Sequence, residues 1–136
     1  MDRDILKIDL DIKEEDLAIE ELNSRLWYIC GLGFFNLDRI KKIELIKKTN
    51  HSVRIFIDKE LDVKTLVLFQ LILGSDYRKE VNTLMNYYFY NMKYFNRLFD
   101  IKRYRDGTFK KAKIKDITEL VKKEVIKRLK KKKVRN

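Results

Sequence analysis

The sequence predicts an α+β domain in which a mainly antiparallel sheet is covered on one face by helices. Three observations predict it. Apolar residues alternate with polar ones in short runs, first at Ile8, Leu10 and Ile12 against Lys7, Asp9, Asp11 and Lys13, the period of half-buried strands. Strand-like runs that are neighbours in sequence are joined by short turns, which makes hairpins and so antiparallel pairing. Between these runs, apolar residues recur at helical spacing.

The elements follow in order. Ile5 to Lys13 is the first strand. Glu14-Glu15-Asp16 opens a helix and complements its N-terminal dipole, and Leu17, Leu22, Leu26, Trp27 and Ile29 carry it to Gly31. Lys41 to Lys47 and Ser52 to Asp58 are two strands, with Thr49-Asn50-His51 at the turn. Asp62 caps a helix running to Leu73, Gly74 suits its left-handed C-terminal position, and Ser75-Asp76 caps the next helix. That helix repeats Tyr77, Val81, Leu84, Met85, Tyr88 and Met92 on one face. Leu98 to Tyr104 and Thr108 to Ile114 flank Asp106-Gly107, a strong hairpin signal. A last helix starts near Asp116, with Ile117, Leu120, Val121, Ile126 and Leu129 as its apolar stripe, and Lys130 to Lys133 are expected to fray. The order β-α-β-β-α-α-β-β-α begins with an RRM-like β-α-β-β-α core and adds a C-terminal hairpin and a basic helix. Without a Gly/Ser-rich linker or any proline among 136 residues, a single domain is expected over 1–129, followed by a basic tail over 130–136.

Composition bounds the function. Charged residues make up 39% of the chain, well above the usual ~25%, a balance that suits a thermophile or an AT-rich genome. Cys30 and His51 are the only residues of their kinds, which excludes an internal disulfide and a Cys/His zinc cluster. The acidic start Met1-Asp2-Arg3-Asp4 and the lack of an ~18-residue apolar run lead to the expectation of a cytoplasmic protein with no membrane span. Charge is unevenly distributed. Residues 101–136 hold sixteen Lys/Arg against four Asp/Glu, and residues 1–100 hold sixteen against seventeen. A near-neutral body with a strongly basic end points to a polyanion, most often nucleic acid.

Two groups of residues could carry chemistry. Asp9 and Asp11 lie two apart on a strand, where alternation would set both carboxylates on one face. Such a pair can hold Mg²⁺ or Mn²⁺ for phosphoryl transfer; it can equally be a solvated acidic face. His51 at a strand edge can contact a nucleotide phosphate, or be a polar turn residue.

Together these residues resemble the archaeo-eukaryotic primase superfamily. Leu6-Lys7-Ile8-Asp9-Leu10-Asp11 matches its apolar strand ending in Asp-x-Asp, and Thr49-Asn50-His51 matches Ser-x-His with Thr for Ser. Phe99-Asp100 stands for its apolar-acidic third motif. The resemblance implies that Asp9, Asp11 and Asp100 are metal carboxylates, that His51 contacts the incoming nucleotide phosphate, and that Mg²⁺ or Mn²⁺ is the cofactor. Outside that resemblance no cofactor is expected. Leu73-Gly74-Ser75-Asp76-Tyr77-Arg78, with Leu98-Phe99-Asp100, loosely resembles small proteins of archaeal viruses and plasmids, which implies a replication or mobile-element context.

Aromatic and basic residues interleave from Tyr87 to Lys111. Single-strand binders combine aromatic platforms for bases with cations for phosphates, although such aromatics can also fill a core. Tyr87 to Tyr90 cannot all face inward on a helix of period 3.6, so some of them are expected at the surface. The expected function is nucleic-acid binding. Lys102, Arg103, Arg105, Lys110 and Lys111 on the second hairpin would meet phosphates, as would Lys122, Lys123, Lys127, Arg128, Lys130, Lys131, Lys132, Lys133 and Arg135 on the tail helix. Tyr87, Tyr90 and Tyr94 would stack on bases. The alternatives are a metal-dependent, primase-like nucleotidyltransferase and a structural or interaction protein of a virus or plasmid.

Overall fold

Residues 2–97, 101–103 and 109–135 are described by the computed structural model. Its elements are β1 (Ile5–Ile12), α1 (Glu15–Gly31), β2 (Ile40–Lys47), β3 (His51–Ile57), α2 (Val63–Ile72), α3 (Tyr77–Tyr88), β4 (Ile101–Arg103), β5 (Phe109–Lys111), β6 (Lys113–Asp116) and α4 (Thr118–Arg135), with short 3₁₀ turns at Asp2–Asp4 and Leu37–Arg39.

The alternation of the first strand sorts its residues as expected, with Leu6, Ile8 and Leu10 buried and Lys7 and Asp9 between them. β1 and β2 both pair antiparallel with β3, so they run parallel to one another and α1 is the crossover between them. This is a split β-α-β unit. The sheet order is β1-β3-β2-β6. Leu22, Leu26 and Ile29 of α1, Leu66 and Val67 of α2, and Val121 and Val125 of α4 join Leu6, Ile8, Ile43, Leu45, Val53 and Ile55 of the sheet in one buried cluster. Each of these Leu or Ile side chains contributes about 1.5–3 kcal/mol on burial. The α+β class and the β-α-β-β-α core therefore stand.

The helix boundaries follow local chemistry. Asp62 accepts from the Thr65 amide, and Asp76 accepts from the Arg78 amide, each capping the helix that follows. Gly74 takes φ +100° between α2 and α3, and a Cβ there would lie 2.8 Å from Arg25 Nε. Glycine suits the left-handed turn, and a Cβ would also require the flexible end of Arg25, whose Nη1 donates to the Ile72 carbonyl at 3.0 Å, to shift.

Three expectations are corrected. The run from Thr108 to Ile114 is two strands, not one: β5 pairs with β4, and after Ala112 β6 joins the main sheet beside β2. The free edge of β2 supplies the reason, and the Ile43 carbonyl also receives the Ile117 amide at 2.9 Å. The Asp106-Gly107 turn lies outside the described residues. The tail does not fray at Lys130, because α4 continues to Arg135; Lys and Arg are good helix formers and suit the negative end of the helix dipole. Finally, α3 ends at Tyr88, before Met92, and Tyr77, Val81, Met85 and Tyr88 of its apolar stripe are turned outward, only Leu84 packing against the core. Its buried side carries Glu80 and Thr83, with Lys79 beside them.

That inversion has a cause at the outer edge of β1. The Lys7 amide donates to Gln70 Oε1 at 2.9 Å and the Asp9 amide to Ser75 Oγ at 3.1 Å. Lys79 Nζ donates to the Lys7 carbonyl at 2.6 Å and Asn96 Nδ2 to the Ile5 carbonyl at 3.2 Å. Backbone groups of an outer strand must find partners when buried, and polar side chains from α2, α3 and the segment after them supply these.

Candidate nucleic-acid interface

α4 sorts its residues by depth. Ile117, Val121 and Val125 are buried at a spacing of four, and Leu129 packs against the same cluster. Two cations are committed to the fold. Lys122 Nζ donates to the Ile40 carbonyl at 2.6 Å. Arg128 forks onto Glu20 at 2.7 and 2.8 Å and reaches Glu124 at 3.2 Å, tying α4 to α1. The hydrogen bond from Arg128 holds the Glu20 carboxyl below the usual range, and Glu20 in turn raises Arg128. The remaining cations with described side chains, Lys123, Lys127, Lys130 and Lys131, are exposed. Their spacing of i, i+4, i+7 and i+8 sets them on one face of the helix, over about 12 Å of its length. Lys132, Lys133 and Arg135 continue the helix. On the small hairpin Lys102 pairs with Lys110, Arg103 with Phe109 and Ile101 with Lys111. Arg105 lies outside the described residues.

The aromatics near the end of α3 are largely at the surface. Tyr87, Tyr88, Phe89, Tyr90 and Tyr94 are all exposed. Tyr87 stands edge-on to Tyr88 and to the buried Phe95, each at 4.9 Å between ring centroids. Lys93 Nζ lies 5.5 Å from the centre of the Tyr94 ring.

Asp9, Asp11 and His51 are placed by the β1–β3 pairing. Asp9 is opposite Ser52, whose hydroxyl donates to it at 3.4 Å. The register then shifts between Asp9 and Ile12, and Asp11 takes φ +54°. This bulge interrupts the regular alternation expected across the pair, and Asp11 accepts instead from the Asn50 side chain. His51 is 1% exposed and its Nδ1 lies 2.9 Å from the Ile12 carbonyl. It is in phase with the buried Val53, Ile55 and Ile57, whereas Ser52 is in phase with Arg54 on the opposite face. The structure brings Asp9 to Ser52 and separates it by a sheet face from His51. Among the described residues no group of three or more His, Cys, Asp or Glu is arranged to hold a metal ion, and Asp100 lies outside them.

Sequence reasoning missed a polar cluster behind β1. Gln70 Nε2 donates to Glu80 Oε1 at 2.5 Å, and Asn96 Nδ2 donates to Gln70 Oε1 at 2.7 Å. Lys79 Nζ meets Glu80 Oε2 at 3.0 Å and Asn96 Oδ1 at 2.6 Å. Burial pushes the Lys79 ammonium down to about 8, against the opposing pull of Glu80. A cavity of about 380 Å³ opens beside this cluster, lined by Asp9, Lys48, Asp76, Arg78, Lys79 and Arg97 among others. One signal was available: Gln70, the only glutamine, interrupts an apolar run from Leu66 to Leu73.

No family model matches the chain, and neither curated proteins nor solved structures yield a significant match.

Proposed function

We propose that this protein binds nucleic acid through the lysine face of α4, in a replication or mobile-element context. The observation that carries the reading is the division of labour on that helix. Val121, Val125, Leu129, Lys122 and Arg128 are committed to the fold, while Lys123, Lys127, Lys130 and Lys131 stand together at the surface. Four ammonium groups held on a rigid helix suit a line of phosphates, because each contact releases a condensed counterion. The exposed Tyr90 and Tyr94 support base stacking beside Lys93, and the basic β4–β5 hairpin adds to the same charge.

The test is a titration of single- and double-stranded DNA and RNA at two salt concentrations. Replacing the four lysines by Gln is expected to weaken binding to every sequence and to lower the salt slope by about 0.7–0.9 per lost contact. An unchanged slope and affinity would sink the proposal.

A second reading, metal-dependent nucleotidyl transfer, draws on the position of Asp9 in the wall of the cavity that also holds Arg78 and Arg97. A ligand that binds only the native state raises the melting temperature. A Mn²⁺-dependent rise that is lost in Asp9→Asn with Asp11→Asn would support this reading, and no rise at millimolar Mn²⁺ would remove it.

A further inference from the structure

α3 is an amphipathic helix mounted backwards. Tyr77, Val81, Met85 and Tyr88 form one stripe at spacings of four, four and three, and they retain 68%, 47%, 37% and 53% of their surface. The opposite side buries Glu80 and Thr83 and partly buries Lys79 and Asn86, with Leu84 as its one apolar contact to the core. An amphipathic surface helix ordinarily turns its apolar stripe to the core. Here the polar side is held inward by Gln70, Asn96 and the edge of β1, so the stripe has been left facing out.

We propose that this stripe is a self-association face on which a second copy of the chain docks antiparallel, α3 on α3, about a two-fold axis. The stripe is self-complementary. Read from either end, it runs aromatic, aliphatic, aliphatic, aromatic. An axis passing between Val81 and Met85 sets Tyr77 of each protomer against Tyr88 of the partner subunit and Val81 against Met85 of the partner subunit, the isologous pattern of a two-fold dimer. None of the four residues carries a charge, so neither copy buries an unpaired ion. Antiparallel helices also set the positive end of each dipole beside the negative end of the other. The basic face that opposes association lies on α4, a separate element.

Area sets the strength. With about 200 Å² per aromatic side chain, the stripe together with Phe89, which is 79% exposed, offers roughly 500–600 Å² per protomer. A dimer burying roughly 1,000–1,200 Å² in all stands at the low end of specific interfaces. An interface of this size is a weak, transient one, so association is expected in the micromolar range.

Sedimentation velocity of the full chain from about 1 to 500 μM tests this across the expected constant. The weight-average mass is expected to rise from that of a monomer towards twice that value. Val81→Lys and Met85→Glu are each expected to weaken association at least tenfold without lowering the melting temperature, because both positions are at the surface. Combining them is expected to recover most of the loss, since antiparallel docking sets each Lys against the partner's Glu. A mass that stays monomeric across the range overturns the proposal. So does association that both single variants leave unchanged, or a double variant weaker than either single one. Association that appears only with added oligothymidylate, or only on phosphatidylcholine vesicles, overturns it as well, assigning the stripe to bases or to lipid.

Discussion

Lys79 sits at a point where sequence, burial and charge meet. It is nearly buried, yet its ammonium donates to the Lys7 carbonyl and to Asn96 Oδ1 and is paired with Glu80, whose Oε2 lies 3.0 Å away. Removing one member of a buried pair leaves the other uncompensated. Lys79→Met is expected to cost about 3 kcal/mol in urea unfolding. Lys79→Met with Glu80→Gln is expected to recover a large part, because the introduced amide oxygen still accepts from Gln70. The pH dependence has a defined sign. The folded value is about 8 against an ordinary 10.5, so between these values the unfolded chain binds the extra proton. This residue's contribution to stability therefore rises with pH across that window, by at most ~1.4 kcal/mol per unit. Below pH 8 both states carry the proton and the full cost of burying the ammonium is felt. A wild-type minus Lys79→Met difference that falls between pH 8 and 10 would contradict this. Legibility at this scale was uneven. Asp62, Gly74 and Asp76 could be read because a cap depends on residues within one turn of itself. The burial of His51 was readable in principle, since position 51 is in phase with Val53, Ile55 and Ile57. The cluster of Gln70, Lys79, Glu80 and Asn96 was not readable, because it joins residues from separate segments that only the folded sheet edge brings together.

At the scale of elements, periodicity reveals a stripe but not which way it faces. On α4 Ile117, Val121 and Leu129 turn inward while Leu120 and Ile126 stay exposed; on α3 Tyr77, Val81, Met85 and Tyr88 turn outward while Leu84 packs on the core, although both helices carry the same spacing rule. What decides is the neighbour: α4 meets the apolar side of α1 and β2, whereas α3 meets the unpaired polar edge of β1. β6 escaped detection for a related reason. Four residues, Lys113–Asp116, give too short an alternation to stand out from the hairpin before them. The committed and exposed cations of α4 are expected to separate experimentally. Arg128→Ala releases Glu20 and loosens α4 from α1, and about 0.5–1 kcal/mol of stability should go with this partly exposed fork. Lys123→Ala with Lys127→Ala should leave the melting temperature within about a degree, since surface changes of this kind are small, and lower nucleic-acid affinity. Equal effects of the two sets on both measurements would refute the division.

For the whole molecule, four antiparallel strands and one shared core make the sheet the most protected unit. The side-chain clamp extends that protection to an edge. The amides of Lys7 and Asp9 face outward from the sheet, yet they donate to Gln70 and Ser75. Hydrogen exchange is expected to find both as slow as amides between paired strands. Gln70→Ala should speed Lys7 selectively and leave the amides of β2 and β3 unchanged. Fast exchange at Lys7 in the wild type would show that the clamp opens on its own. The overall class was legible because alternation, helical spacing and Asp-Gly punctuation are local. The order β1-β3-β2-β6 was only half legible, since β6 closes on β2 across more than sixty intervening residues.

The clamp also imposes a timetable on synthesis. The Lys7 carbonyl waits for a partner 72 residues further on, and the Ile5 carbonyl for one 91 residues further on. At about 5–20 residues per second, the nascent amino-terminal strand stays without its cover for several seconds or longer. During that interval the outward carbonyls of Ile5 and Lys7 have only water as partner, although Leu22, Leu26, Val53 and Ile55, which pack with Leu6, Ile8 and Leu10, are already synthesised.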